Sequence, residues 1–415
     1  MFRRLWTYFR SVGTYFAASL VPMLLMVLAN PLISMNMSPE DYAVTGYYNS
    51  FVALFSPVIV FYMINYYNKR YYEVGPECRQ RIRAMLFKAL IFFSAAVSVL
   101  CAFLLAGYIM LFRKDMEFPF FPYALLMVFA IPLTGIYKLE QAECRMSRNA
   151  DGYFRITVAS GVILVLANML FVVAARWGAF GKLLAPLATN FLVFVYLAFK
   201  YRALFRVHTE WKEFVQMLKF CLPLAAGAML GYFFNGFDRT YLESIGDVTE
   251  YGYYVVGAQI AGYLTTLSTA VTSTFQPDIY EAIAKRNSGA LARTCAVQIG
   301  LIAAVVLFFI LFCPLIVTLL TAGRYVDAVP YARIISVSTL TSSVYFIVNN
   351  YTIAKGYPRL YLYTTVLGSV MTVLAYPPVV DIYGYSGGAY MVGMSFVFLA
   401  ATNLILLCVM RLRKK

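Results

Sequence analysis

Charged residues are scarce in this 415-residue chain, since Asp, Glu, Lys and Arg make up 13% of it. A soluble domain carries about 25%. Hydrophobic residues account for 62%, so a single globular fold could not cover its surface with polar groups. The same composition excludes collagen, low-complexity disorder and a disulfide scaffold. The class that remains is a multi-pass protein of the cell membrane.

Histidine and paired cysteines are also nearly absent. The one histidine, His208, lies in a basic connector, and the seven cysteines form no Cys-x-x-Cys pair. We therefore expect no metal site, no disulfide and no catalysis that depends on histidine. A Walker loop is missing, which argues against ATP hydrolysis. The longest hydrophilic stretch, residues 68–84, leaves no room for an extramembrane catalytic domain, so we expect no enzyme and no cofactor.

Long apolar runs, bounded by charges or by Pro and Gly, are what the sequence does contain. Each is long enough for a membrane-spanning helix of about 20 residues. Helices satisfy the backbone within lipid, and the alternating pattern of barrel strands is missing, so the predicted fold class is all-α. The runs predict twelve transmembrane helices, at 12–35, 44–66, 85–112, 119–139, 154–175, 180–200, 215–237, 251–275, 294–321, 329–352, 360–380 and 387–410.

Lys and Arg alternate between the predicted loops. One set of loops, together with both tails, carries 27 of these residues, and the other set carries 7. Positive loops stay on the cytoplasmic side, so both termini are expected in the cytoplasm. The net charge of +15 is thereby explained by topology, and nucleic acid is not an expected partner.

A short internal similarity organises the chain. Residues 41–43 (Asp-Tyr-Ala) align with residues 250–252 (Glu-Tyr-Gly) at an offset of half the chain length. The similarity predicts a duplication into two six-helix lobes, 1–205 and 206–415. Because six is even, both lobes enter the membrane in the same direction, as in transporters built from parallel repeats.

Several local patterns coincide with this plan. The seventh span opens with Lys-Phe-Cys-Leu-Pro (219–223) and closes with the Asp238-Arg239 pair. Glu-Tyr-Gly-Tyr-Tyr (250–254) follows, and Phe-Gln-Pro (275–277) comes after the eighth span. With the Ser-Pro-Glu-Asp-Tyr turn (38–42), these motifs resemble the polysaccharide flippases of the MOP superfamily, the Wzx-type oligosaccharide and O-antigen transporters.

The resemblance implies two lobes around a central cavity that opens alternately to each side of the inner membrane. It implies transport of undecaprenyl-diphosphate-linked oligosaccharide repeat units to the outer leaflet, for lipopolysaccharide or another surface polysaccharide. The implied partners are the lipid-linked oligosaccharide, membrane lipid and other membrane proteins of polysaccharide assembly.

A diphosphate needs a cationic partner to cross hydrocarbon, and Arg offers a planar fork of donors for phosphate oxygens. Arg239 is the first candidate for this role, with Asp238 tuning it. The alternative is a helix end at the level of the lipid headgroups. Arg333 is a second candidate, although it is close enough to the surface to snorkel. Amide side chains could bind sugar hydroxyls or join helices; the candidates are Asn30, Asn235, Gln259, Asn349 and Asn350.

Tyrosine pairs such as Tyr47-Tyr48 and Tyr253-Tyr254 lie near predicted span ends. We assign them to the aromatic belt of the membrane interface. Sugar stacking by Tyr253 or Tyr254 is the alternative.

Other functions stay open. A cation-coupled multidrug exporter of the MATE group shares the twelve-helix plan but would need an acidic group deep in a span. A membrane polysaccharide polymerase or glycosyltransferase would need a long external loop, and a scaffold would tolerate substitution of Arg239. For a transporter, the sequence leaves the energy source undetermined; a sodium or proton gradient is one option, with Asp238, Asp278 and Glu281 as weak coupling candidates.

Overall fold

The computed structural model describes residues 2–112, 118–354 and 358–412. Within these ranges every regular element is a helix, so the predicted all-α class is confirmed. The predicted loops near 113–118 and 355–359 fall largely outside the described residues, as do the side chains of Gln276 and Pro277.

Seven α-helices form the first part of the chain. A π-helical turn, Met169–Ala174, follows the sixth, and a 3-10 turn, Arg202–Arg206, follows the seventh. The helices are α1 Phe2–Met35, α2 Pro39–Ile59, α3 Met63–Arg70, α4 Pro76–Phe112, α5 Tyr123–Met146, α6 Ala150–Asn168 and α7 Gly178–Lys200.

Seven more α-helices follow. The last of them consists of two consecutive helices, which meet at a kink where Gly384 has the non-helical angles φ 56° and ψ −137°. They are α8 Trp211–Met229, α9 Tyr232–Asn235, α10 Phe237–Leu242, α11 Val248–Ala284, α12 Ser288–Leu320, α13 Val329–Ala354 and α14 Pro358–Leu412.

Eight of the described helices are long and apolar enough to cross a membrane, which makes the chain a multi-pass membrane protein. A ninth span results if α2 and α3 count as one bent helix with a 49° kink. Pro57 removes a backbone donor just before this kink, and Phe61 and Tyr62 adopt positive φ within it. The longest span, Leu360–Met410, includes the Gly384 break and covers two predicted spans. The full count of twelve and the cytoplasmic termini stay predictions.

The two similar loops each begin a helix with a side-chain cap. At the start of α2, the Ser38 backbone N–H donates to Asp41 Oδ2 at 2.9 Å, and the Asp41 N–H donates to Ser38 Oγ at 3.2 Å. This reciprocal pair is a capping box. At the start of α11, Asp247 Oδ1 accepts from the Glu250 N–H at 2.9 Å. Equivalent positions of the similarity therefore have the same local role.

These two helix starts also contact each other at matching positions. The Thr249 hydroxyl donates to Glu40 Oε1 at 3.2 Å, across a sequence separation of 209. Gly46 lies against Val255, also 209 residues later, so closely that a Cβ at Gly46 would lie 2.4 Å from Val255 Cγ2. Residues near a twofold axis would touch their own counterparts in this way; the duplication itself stays a prediction.

Contacts divide the chain into two compact units, Met1–Met37 with Phe51–Met229 and Ser38–Ser50 with Leu230–Lys415. A core cluster of the first includes Met63, Leu86 and Leu90, and one of the second includes Tyr345 and Leu399. These units are defined by contacts within the fold, whereas the predicted lobes 1–205 and 206–415 are the two halves of the sequence. The lobes stay a prediction.

Close packing of α1 against α6 provides a test of the fold. A Cβ at Gly161 would lie 2.5 Å from Pro22 Cβ, and the proline ring cannot swing aside. We expect Gly161→Ala to cost about 1–3 kcal/mol through overpacking and to lower the midpoint of thermal unfolding in detergent. Gly107→Ala on α4 is the matched control, since nothing lies within 4 Å of its added Cβ. Equal midpoints for the two variants would contradict this packing.

Candidate functional site

A break in the helical chain sets the direction of the segment that carries the predicted Asp-Arg pair. The short helix α9 ends at Asn235, and Gly236 has φ −158° and ψ −17°, outside the helical region. A Cβ at Gly236 would lie 2.8 Å from the Ser50 carbonyl oxygen, so the close approach of α2 requires glycine here. Discontinuous helices of this kind build binding sites in transporters.

Asp238, in the first turn of α10, is buried, with 8% of its surface exposed. The hydroxyl of Tyr254, a fully buried residue of α11, donates to Asp238 Oδ2 at 2.6 Å. A carboxylate out of water needs such a donor, because its desolvation is costly. The Asp238–Tyr254 bond therefore fixes α10 against α11.

Arg239 follows on the same turn, with 26% of its side chain exposed. Its Nε lies 4.0 Å from Asp238 Oδ2, an ion pair at the outer limit of contact. The same Nε is buried and has no hydrogen-bond partner among the described residues. Because this Nε is buried beside Asp238, the exposed part of the side chain is what an anionic ligand could contact.

A second carboxylate belongs to the same surroundings. Glu250 accepts a hydrogen bond from the Tyr331 hydroxyl, and the Tyr331 ring lies 5.7 Å from that of Tyr254. We call Asp238, Arg239, Glu250, Tyr254 and Tyr331 the tyrosine–carboxylate cluster. It contains one cation and two carboxylates, so the positive charge expected around Arg239 is offset locally.

The other predicted residues of this unit lie at several places. Asn235, one turn before Arg239, is exposed, and its amide donates to the Gly231 carbonyl at 3.0 Å. Gln259 is half-buried on α11. Arg333 is exposed on α13, two residues after Tyr331, and therefore points to another side of that helix.

Asn349 and Asn350 lie at the far end of α13. Sixteen residues separate Asn349 from Arg333, which is roughly 24 Å along a helix, so they cannot form one site. Asn349 is buried, and its Oδ1 accepts no hydrogen bond from the described residues. Asn30, in the other compact unit, is buried on α1 and donates to Ser34 Oγ at 3.4 Å. Asp238 and Arg239 are the predicted residues that the structure brings into direct contact.

The assignment of tyrosine pairs to an aromatic belt is wrong for several of them. Tyr47, Tyr48 and Tyr254 are fully buried, at 0% exposure, within the protein. The sequence held a signal for this: Glu250, Tyr251 and Tyr254 recur at the three- and four-residue spacing of one helix face, whereas a belt needs no such register.

The bond from Tyr254 to Asp238 can be tested without altering shape. Tyr254→Phe leaves the buried carboxylate without its donor, at a cost of about 1–3 kcal/mol. We expect a lower midpoint of thermal unfolding in detergent. Tyr253→Phe, at the half-buried neighbouring position, is the control and should leave the midpoint near that of the wild type. A Tyr254→Phe protein as stable as this control would contradict the bond.

Solved structures with the same fold include three transporters. The lipid II flippase MurJ in an inward closed conformation matches with a TM-score of 0.74 and 12% identity, over 95% of this chain and 87% of that chain. An inward-facing multidrug resistance MATE family transporter of the MOP superfamily matches with 0.69 and 15%, over 96% and 98%. A MOP superfamily transporter from Pyrococcus furiosus matches with 0.64 and 14%, over 97% and 95%. At these identities the likeness is one of fold.

The sequence profile described as "Polysaccharide biosynthesis protein" matches residues 78–330, more than half of the chain. No curated protein matches the sequence. The resemblance drawn from the motifs is confirmed by the profile and the shared fold. The chain belongs to the polysaccharide biosynthesis protein family and has the fold of the MOP superfamily transporters.

Proposed function

We propose that this protein moves undecaprenyl-diphosphate-linked oligosaccharide repeat units from the cytoplasmic to the outer leaflet during surface polysaccharide biosynthesis. The observation that carries the proposal is family membership in polysaccharide biosynthesis. The fold, shared with a lipid II flippase over 95% of the chain, supports it. The proposal includes twelve transmembrane helices, cytoplasmic termini and a place in the inner membrane, with O-antigen of lipopolysaccharide as one product.

Arg239 is the residue we assign to the diphosphate. Its partly exposed side chain leaves guanidinium donors for phosphate oxygens, and charge-assisted hydrogen bonds are about twice as strong as neutral ones. Tyr254 holds Asp238 in place, so this carboxylate orients the guanidinium without enclosing it. Amides such as Asn235 and Gln259 are the proposed contacts for sugar hydroxyls.

Alternating access requires one end of the bundle to separate in each cycle. The starts of α2 and α11 are suited to this, because glycines at 46 and 252 let the two helices meet at close range, with a side-chain hydrogen bond from Thr249 to Glu40 between them. A Cβ at Gly252 would lie 2.2 Å from the Pro39 carbonyl oxygen, and the contact of Gly46 with Val255 is similarly close. We propose that this junction opens and closes during transport.

A MATE-type exporter of cationic compounds is the second candidate, and one observation favours it. Asp238 is a buried carboxylate, the kind of group that such an exporter needs. The same residue would serve a flippase by coupling transport to sodium or protons. A deletion strain distinguishes the two functions: a flippase strands lipid-linked oligosaccharide on the cytoplasmic leaflet, and an exporter changes sensitivity to cationic drugs.

Substitution of Arg239 tests the site. In the deletion strain, we expect Arg239→Ala to reduce export of the oligosaccharide roughly tenfold or more, because a charged hydrogen bond of about 1.5–3 kcal/mol is lost. Arg239→Lys keeps the charge without the planar fork and should restore export in part. Arg324→Ala, at an exposed arginine, is the control. If both Arg239 variants export as well as this control at equal protein level, the assignment fails.

A disulfide across the α2–α11 junction tests the motion. A Cβ at Gly46 would lie 3.1 Å from Val255 Cβ, close to the Cβ separation of about 3.5–4.5 Å in a disulfide. We expect the Gly46→Cys, Val255→Cys double variant, in a background without the native cysteines, to lose transport on oxidation and recover it on reduction. Val255→Cys alone, which keeps Gly46, and the reduced double variant are the controls. Transport that continues in the oxidised double variant would exclude opening at this junction.

A further inference from the structure

A separate cavity lies within the compact unit that contains residues 51–229. Its volume is about 590 Å³, within the usual range of small-ligand sites. The first turns of α4 and α6 and the last turns of α5 and α7 surround it. The arrangement of Lys and Arg in the sequence predicts that these four helix ends lie on the cytoplasmic side.

One end of the cavity is charged. Glu140, 5% exposed, accepts from Arg83 Nη2 and Lys200 Nζ, both at 2.8 Å, and from the Tyr201 hydroxyl at 2.9 Å. Arg83 Nη1 also lies 3.7 Å from Glu143 Oε1. These contacts neutralise both carboxylates within the protein.

Arg155 of α6 lines the same cavity as a third cation. It is exposed and forms no ion pair with any residue that the structure describes. Three cations therefore face two carboxylates, which leaves one positive charge for a ligand. Lys200, with 42% of its side chain exposed, lies at the same end.

The walls change from cationic to apolar along both helices. On α6, steps of four residues lead from Arg155 to Ala159 and Ile163, and on α7 similar steps lead from Lys200 through Tyr196 to Leu192. Residues four apart share a helix face, so each wall has one charged end and an apolar stripe of roughly 12 Å. Tyr196 and Leu192 are 56% and 54% exposed, so this stripe is open to a ligand. A free anion would use the charged end alone, whereas a lipid would use the whole length.

We propose that this cavity binds a phosphate-bearing membrane lipid. The phosphate contacts Arg155 and Lys200, and the hydrocarbon chain lies along Ala159, Ile163 and Leu192. Basic pockets between transmembrane helices on the cytoplasmic side recognise such headgroups. The site is independent of Arg239 and of the proposed transport, because it lies within one compact unit and Arg239 belongs to the other. An anionic glycerophospholipid and a polyprenyl phosphate share this chemistry.

Native mass spectrometry of the delipidated, full-length protein tests the proposal. Phosphatidylglycerol, undecaprenyl phosphate, phosphatidylcholine and inorganic phosphate are titrated in turn, and the dissociation constant of the first bound molecule is measured. We expect one of the two anionic lipids to bind at least tenfold more tightly than phosphatidylcholine, and the tighter of the two identifies the source.

Two variants address the two ends of the cavity. Arg155→Gln removes an exposed charge, and Ala159→Phe fills the apolar stripe without changing charge; each should weaken binding of the anionic lipid at least fivefold. Arg145→Gln is the control. Arg145 lies in the last turn of α5 and contacts the Tyr153 ring, and neither residue lines the cavity. Wild-type affinity in both variants overturns the proposal. Inorganic phosphate that binds as tightly as the lipid, with no effect of Ala159→Phe, overturns it as well.

Discussion

A carboxylate that is taken out of water within an apolar bundle must be given a hydrogen-bond donor, and in this protein the donor is repeatedly a tyrosine hydroxyl. Tyr254 donates to Asp238 and Tyr331 to Glu250 in one compact unit. Tyr67 donates to Glu143 and Tyr201 to Glu140 in the other.

The consequence of this constraint is that tyrosine hydroxyls stabilise the acidic groups of both units in addition to cations. Glu140 also pairs with Arg83 and Lys200, and Asp238 Oδ2 lies 4.0 Å from Arg239 Nε. Tyrosine satisfies the carboxylate and remains apolar along its ring, so it packs among hydrophobic side chains at little cost. Part of the cationic charge nevertheless stays open to ligands. Arg239 keeps 26% of its side chain exposed, and Arg155 has no ion-pair partner in the part of the chain that the structure describes. Both sites proposed for anionic ligands rest on such cations.

A second constraint acts at the starts of α2 and α11. The capped helix ends meet at positions separated by 209 residues, and glycine at 46 and 252 permits the backbone to approach closely. A close approach of this kind, with a hydrogen bond from Thr249 to Glu40, suits the opening and closing that we propose for this junction. The break at Gly236 depends on the same segment, because it lies against the Ser50 carbonyl oxygen.

The sequence by itself determined the all-α class and the multi-pass membrane character, because hydrophobic run length and scarcity of charge are local properties that lipid imposes on any chain, and its motifs indicated the family. It also identified Asp238 and Arg239, since charges within spans are rare enough to stand out. Only the tertiary structure decided which partners these residues have. Tyr254 and Tyr331 come from α11 and α13, and the spacing along one helix cannot show which carboxylate on another element each hydroxyl meets. The cavity around Arg155 likewise depends on how the ends of four helices pack, which composition does not encode.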